Sequence, residues 1–229
     1  VVGAIALLVP IQMVSQTWDD HDRSGRYTCR DFGQNYLMSL QEDGNPIIFT
    51  NGDNDTFPLW YTQDVEGKRT DARVCNLSYL QTDWYIDQMR RPAYDSPSVP
   101  ITWSRLEYCA GTNEYVYVKP ELKNSIRELY KTYPEEAKEM FGENPFELQN
   151  VLKYWVRNQI DDKQRSIIQM LVGAGASTKV IPTDTVYVTI DKEAVKRSGM
   201  LMASDSIPDR MEISLRGKNA LYKGDMMML

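Results

Sequence analysis

Residues 46–91, PIIFTNGDNDTFPLWYTQDVEGKRTDARVCNLSYLQTDWYIDQMRR, decide the fold class. PIIFT is the short apolar run of a buried strand, and NGDNDTF is turn material. FPLWYTQDVE reads as a helix, with Pro58 in its first turn and Gly67 just past its end. ARVCNLSYL is a second strand, and TDWYIDQMRR, capped by Thr82 and stopped before Pro92, a second helix. A strand, loop, helix, strand and helix in that order predict two parallel neighbouring strands joined by a right-handed crossover.

Working outward, Cys29, Phe32, Tyr36, Leu37 and Leu40 fall on one helical face, and EDGN (42–45) ends that helix. On the other side, residues 93–118 are proline-rich and then aromatic, with YVYV (115–118) a strand. From 120 to about 170 the pattern is helical. There Asn144, Pro145 and Glu147 supply a cap, a first-turn proline and a capping-box acid, ahead of Leu148, Val151, Leu152, Trp155 and Val156. TVYVTI (185–190) and MEISL (211–215) are strands around a short helix, KEAVKRSG. The expected class is α/β: a three-layer-like parallel or mixed sheet with flanking helices, plus a helical insertion. The expected organisation is a membrane-proximal end at 1–17, an α/β core at 18–104, a mainly helical insertion at 105–179, and a return to the core at 180–229, truncated at the C-terminus.

The 229 residues carry 26 Lys and Arg against 32 Asp and Glu, a net charge of −6 that gives no electrostatic basis for nucleic-acid binding. Three scattered cysteines exclude a disulfide-dense scaffold and a CxxC site. Cys75, in a strand, reads as inert core. Cys29 with Cys109 is the only disulfide left open. GAGAST (173–178) lacks the lysine of a phosphate-binding loop. With one histidine in the chain, no Ser-His-Asp or Cys-His site can be assembled from the sequence.

The chain opens on VVGAIALLVPIQMV, 14 residues whose only polar side chain is Gln12, whereas a membrane span needs about 20. Trp18 stands where an interfacial anchor belongs, and Asp19, Asp20 and Asp22 precede the first basic residue, Arg23. The run therefore reads as the end of a transmembrane or membrane-proximal segment. Its acidic flank places the remainder of the chain at the cell membrane on the periplasmic side. A buried strand or core helix is the alternative. The abrupt ends suggest an excerpt of a longer chain.

Two polar clusters could carry chemistry. Asp53-Asn54-Asp55 lies between a strand end and a helix start, where open α/β sheets bind ligands, and two carboxylates at that spacing could share a divalent metal. Asp55 or Thr56 is equally an ordinary N-cap. The second cluster, WDDHDRSGR (18–26), sets Asp20, His21, Asp22 and Arg23 together. Consecutive side chains rarely converge on one ion, and the following arginines could simply neutralise the acids. No residue is assigned a catalytic role and no cofactor is expected within the fragment beyond that metal at Asp53 and Asp55.

The runs WDDHDRSGRYTCRDF (18–32) and PIIFT through PAYDS (46–96) together resemble the region after the membrane portion in a Bacteroidetes membrane-protein family. That family was long catalogued as a domain of unknown function and is related to protein O-mannosyltransferases. The resemblance is continuous over about residues 16–104, with weaker echoes at 180–195 and 221–229. It implies a parent protein with a multi-spanning glycosyltransferase-like portion, using a lipid-linked sugar, and a soluble portion outside the cytoplasm. The implied role is an accessory domain that assists binding of an acceptor protein, with the catalytic acid elsewhere in the parent. A non-catalytic binding or assembly module of an envelope protein is the alternative, and a catalytic domain using Asp53 and Asp55 with a metal is a third.

Overall fold

The computed structural model describes residues 2–42, 44–199, 201–202 and 204–229; Val1 of the apolar opening and Asp43 of the helix-ending EDGN run lie outside the described residues. The chain divides into two compact units, Val1–Leu77 with Met89–Val99, and Ser78–Gln88 with Pro100–Leu229. The expected class holds: helices flank small parallel and mixed sheets. Among the described residues the strands fall into three small sheets, one parallel, one mixed and one antiparallel.

The first unit begins with α1 (Val2–His21), which buries none of its residues. Leu7, Leu8, Ile11 and Trp18 are each 61–62% exposed. Among the described residues no helix is long and apolar enough to cross a membrane. Next come α2 (Thr28–Met38), β1 (Ile47–Thr50), α3 (Asp53–Asp64) and β2 (Arg73–Asn76). β1 and β2 are parallel, with Ile47 opposite Arg73 and Thr50 opposite Asn76, as the strand-helix-strand pattern requires. Leu37, Leu59, Ala72 and Val74 form the core, with Phe32, Ile48 and Trp60 packed against it.

α2 and α3 cross closely, and glycine permits it. An ideal Cβ on Gly33 would lie 2.2 Å from the Pro58 carbonyl oxygen and 2.7 Å from Thr62 Oγ1. Arg69 then closes the C-terminus of α2. Its Nη1 donates to the carbonyls of Leu37 and Leu40 at 2.8 and 3.0 Å, its Nη2 to that of Gln41 at 2.7 Å, and its Nε to Asp71 at 2.9 Å. Leu37 lies in the last turn of α2, and Leu40 and Gln41 lie in the segment that follows it, so one guanidinium fixes the path by which the chain leaves the helix. Arg73 is buried in β2 and donates to the carbonyls of Met89 and Arg91, tying the 89–91 turn to the strand.

The second unit holds a single-turn 3₁₀ helix (Tyr79–Gln81), most of α4 (Asp83–Met89), α5 (Arg105–Tyr108), β3 (Tyr115–Val118), α6 (Leu122–Thr132), α7 (Pro134–Phe141) and α8 (Leu148–Asn150). A π-helical turn (Val151–Val156) leads to α9 (Asp162–Val172), β4 (Val180–Ile181), β5 (Thr185–Thr189), α10 (Lys192–Arg197), β6 (Arg210–Ser214), β7 (Ala220–Tyr222) and α11 (Lys223–Met228). β3 is central, parallel to β4 and antiparallel to β7, while β5 and β6 form an antiparallel pair. Leu122, Ile126, Phe141, Phe146, Trp155 and Ile168 fill the core beneath the helices.

The Thr82 hydroxyl donates back to the Tyr79 carbonyl at 2.7 Å. One expected cap is made differently. The Glu147 carboxylate accepts from the Thr189 amide at 2.7 Å, because a β-bridge from Glu147 to Tyr187 draws it toward β5. All three cysteines are free thiols; Cys75 is buried, Cys29 exposed and Cys109 half-buried. Burial pushes the Cys75 thiol up to about 12, as an inert core thiol requires.

Candidate functional site

The turn from β1 into α3 is set by Gly52 and a buried hydroxyl network. Gly52, the N-cap of α3, has φ 88°, a backbone region that a side chain disfavours. The Thr56 hydroxyl donates to the Gly52 carbonyl at 2.6 Å. It lies 2.7 Å from Thr50 Oγ1 and accepts from Asn76 Nδ2 at 2.8 Å. Thr50, Thr56 and Asn76 are all buried, so the network is shielded from competing water.

The consequence is that α3 starts at Asp53, earlier than the sequence suggests. Asp55 lies inside its first turn and makes no capping hydrogen bond, and Pro58 falls in the second turn. The N-cap reading of Asp55 is thereby overturned. As a first-turn acid, Asp55 acts on the helix dipole instead.

The residues Asp53, Phe57 and Tyr61 follow at helical spacing, so one face of α3 presents an acid and two rings. That face, with the loop and first turn of α2, encloses an open cleft of about 650 Å³. Arg23, Arg26 and Arg30 line it with Tyr27. The loop is shaped locally: Asp22 Oδ1 accepts the Ser24 amide at 2.9 Å, and the Arg26 amide donates to the Arg23 carbonyl at 3.0 Å. Hydrogen bonding to Ser24 holds the Asp22 carboxyl below its ordinary range.

Arg30 is committed to structure. Its Nε donates to Glu66, which also accepts from Gln34 one turn further along α2, so a single carboxylate ties α2 to the segment after α3. The Arg30 guanidinium keeps the Glu66 carboxyl below the usual carboxylate range. Arg30 also lies 5.8 Å from the centre of the Tyr27 ring. Arg23 and Arg26, both exposed, take no part in the ion pairs of the described residues, in which Arg30 is engaged.

The two sequence clusters therefore meet only in part. Arg23 comes together with Asp53 and Asn54 in the cleft lining, whereas Asp20, His21, Asp22 and Asp55 do not line it. Among the described residues no group of three or more His, Cys, Asp or Glu is placed to hold a metal ion. Sequence reasoning missed Tyr27, Phe57 and Tyr61 as cleft walls, and took Arg26 and Arg30 only as neutralisers of nearby acids. The signal was present: Arg26 and Arg30, like Phe57 and Tyr61, are four residues apart, and neither pair belongs to the core set.

Chemically the cleft offers guanidinium forks, aromatic faces, one carboxylate and one amide, all open to solvent. It is equipped to bind and orient. The fold and this cleft define an α/β domain with an open cleft lined by arginines and aromatic rings. The chain belongs to the family of TMEM260-associated domain 2, whose model matches residues 29–229. The match begins at Cys29, within the cleft lining. No curated protein and no solved structure matches the chain.

Proposed function

We propose that this chain is an extracytoplasmic accessory domain of a multi-spanning, protein O-mannosyltransferase-like membrane glycosyltransferase, and that it assists binding of the acceptor protein. The observation that carries the reading is the family match over residues 29–229 to a TMEM260-associated domain. Two features support it. The exposed apolar side chains of α1 favour an apolar medium over water. The acidic flank at Asp19, Asp20 and Asp22 favours a non-cytoplasmic side for the residues after it. In this reading the lipid-linked sugar is bound and cleaved in the membrane portion of the parent, and the domain raises the local concentration of acceptor.

The test is kinetic, on the full-length parent in native membranes. Removal of residues 29–229 should raise the KM for an acceptor protein while slow turnover of the lipid-linked donor to water persists. An unchanged KM would refute an acceptor-binding role. Loss of donor turnover as well would place catalysis in the domain. A periplasm-specific reporter fused after Leu229 should be active; activity of a cytoplasm-specific reporter there would refute the assigned side.

A further inference from the structure

We propose that the cleft between the Arg23–Arg26 loop and α3 is a binding site for a phosphate group, with Arg23 and Arg26 as its ligands and the rings of Tyr27, Phe57 and Tyr61 as the floor for whatever carries the phosphate. Such a site is independent of the glycosyltransferase reading and adds a ligand class to the domain.

Four observations converge. The cleft, at about 650 Å³, has room for a phosphate and a small organic body. Three arginines line it against a single acid, Asp53, and among the described residues only Arg30 of the three is held in an ion pair. The other acids around the loop do not enter the cleft: Asp22 accepts the Ser24 amide, Asp31 and Glu66 engage Arg30, and Asp19 and Asp20 stand outside the lining. Arg23 and Arg26 are left to serve an external anion. Tyr27 is 56% exposed, Phe57 48% and Tyr61 45%, so each of these residues keeps surface open to contact.

A phosphate suits this arrangement better than a carboxylate. A carboxylate is filled by one arginine fork, whereas a phosphate has enough oxygens to accept forks from two arginines at once. The aromatic faces add contact area for an attached apolar or ring-shaped group. The Arg23–Arg26 loop also follows directly on α1, whose exposed apolar side chains end at Trp18 and whose last residue is His21. A phospholipid headgroup is therefore one source of the phosphate, and a soluble phosphate ester the other.

The experiment uses the chain with four probes: inorganic phosphate, glycerol 3-phosphate, phosphatidylcholine vesicles, and vesicles of phosphatidylcholine with phosphatidylglycerol. Affinity for the soluble probes is read by calorimetry, and vesicle binding by co-sedimentation. The variants are Arg23→Gln/Arg26→Gln, Arg23→Lys/Arg26→Lys, and a remote control, Lys131→Gln/Lys138→Gln. Arg30 is left intact because it holds Glu66.

The double glutamine variant should lose about tenfold or more in affinity, and the double lysine variant a smaller but measurable part, because lysine keeps charge without the fork. The remote control should bind as the unaltered chain does. Unchanged thermal melting of all variants shows that folding is intact. Binding of the soluble phosphates with this variant pattern identifies a soluble ester as the source. The same pattern confined to the excess binding of phosphatidylglycerol vesicles identifies a lipid headgroup. Failure of every phosphate probe to bind, or equal losses in the remote control, overturns the proposal.

Discussion

Replacing Gly33 by alanine should destabilise the first unit, against the ordinary expectation for a helix. Alanine in a helix interior is favoured over glycine by about 1 kcal/mol. At Gly33, however, the new Cβ would stand 2.2 Å from the Pro58 oxygen and 2.6 Å from the Pro58 carbonyl carbon. Ordinary contact begins at 3.4 Å, so α2 and α3 would have to part by 3.4 − 2.2 = 1.2 Å along that direction. Both obstacles are backbone and cannot rotate away. Overpacking of this kind costs about 1–3 kcal/mol, and a rigid obstacle puts it at the upper end, so the net loss is about 2 kcal/mol after the propensity gain. For a chain of this size that lowers Tm by about 4–8 °C.

The assay is urea denaturation followed by circular dichroism, with hydrogen exchange of the β1 and β2 amides reporting on the first unit. Gly25→Ala is the comparator, because nothing lies within 4 Å of its ideal Cβ. Because the same crossing holds the cleft walls together, Gly33→Ala should also alter ligand binding there. A Gly33→Ala variant as stable as the unaltered chain, or more so, would refute the close-crossing argument.

Three further outcomes are expected. Arg69→Met should cost about 2–4 kcal/mol, measured by urea titration, because it strips three carbonyls and Asp71 of a charged donor at once; a loss below about 0.5 kcal/mol would remove Arg69 as the closing group of α2. Glu107 is held at about 2, chiefly by the Arg157 guanidinium, whose Nε and Nη2 lie 2.6 and 2.9 Å away. Its folded value is thus below the unfolded value of about 4.5, so its stabilisation is full above about pH 4.5 and fades as pH falls toward 2; Glu107→Gln should flatten that acid limb in a series of pH-dependent melts. Under native conditions a maleimide should label Cys29 rapidly and Cys75 only after denaturation, and fast native labelling of Cys75 would contradict its burial in β2.

The parallel β1–β2 pair, the helix between them, the buried Cys75 and the helical stretch after residue 120 were legible in the sequence. Each is written in local periodicity, turn residues and apolar runs, which act over a few residues and survive without knowledge of the rest of the chain. The caps were not legible, because the same side chains had stronger claims made on them from elsewhere. The Thr56 hydroxyl is taken up by the Thr50 and Asn76 network, the start of α3 is fixed by the positive φ of Gly52, and Glu147 is drawn to Thr189 by a strand distant in sequence. Nor could the sequence choose the partners of YVYV, which pairs with residues 180–181 and 220–222, far along the chain. The cleft itself belongs wholly to tertiary structure. Arg23 and Asp53 are 30 positions apart, and they share a site because Gly33 lets two helices approach to a distance that no local pattern encodes.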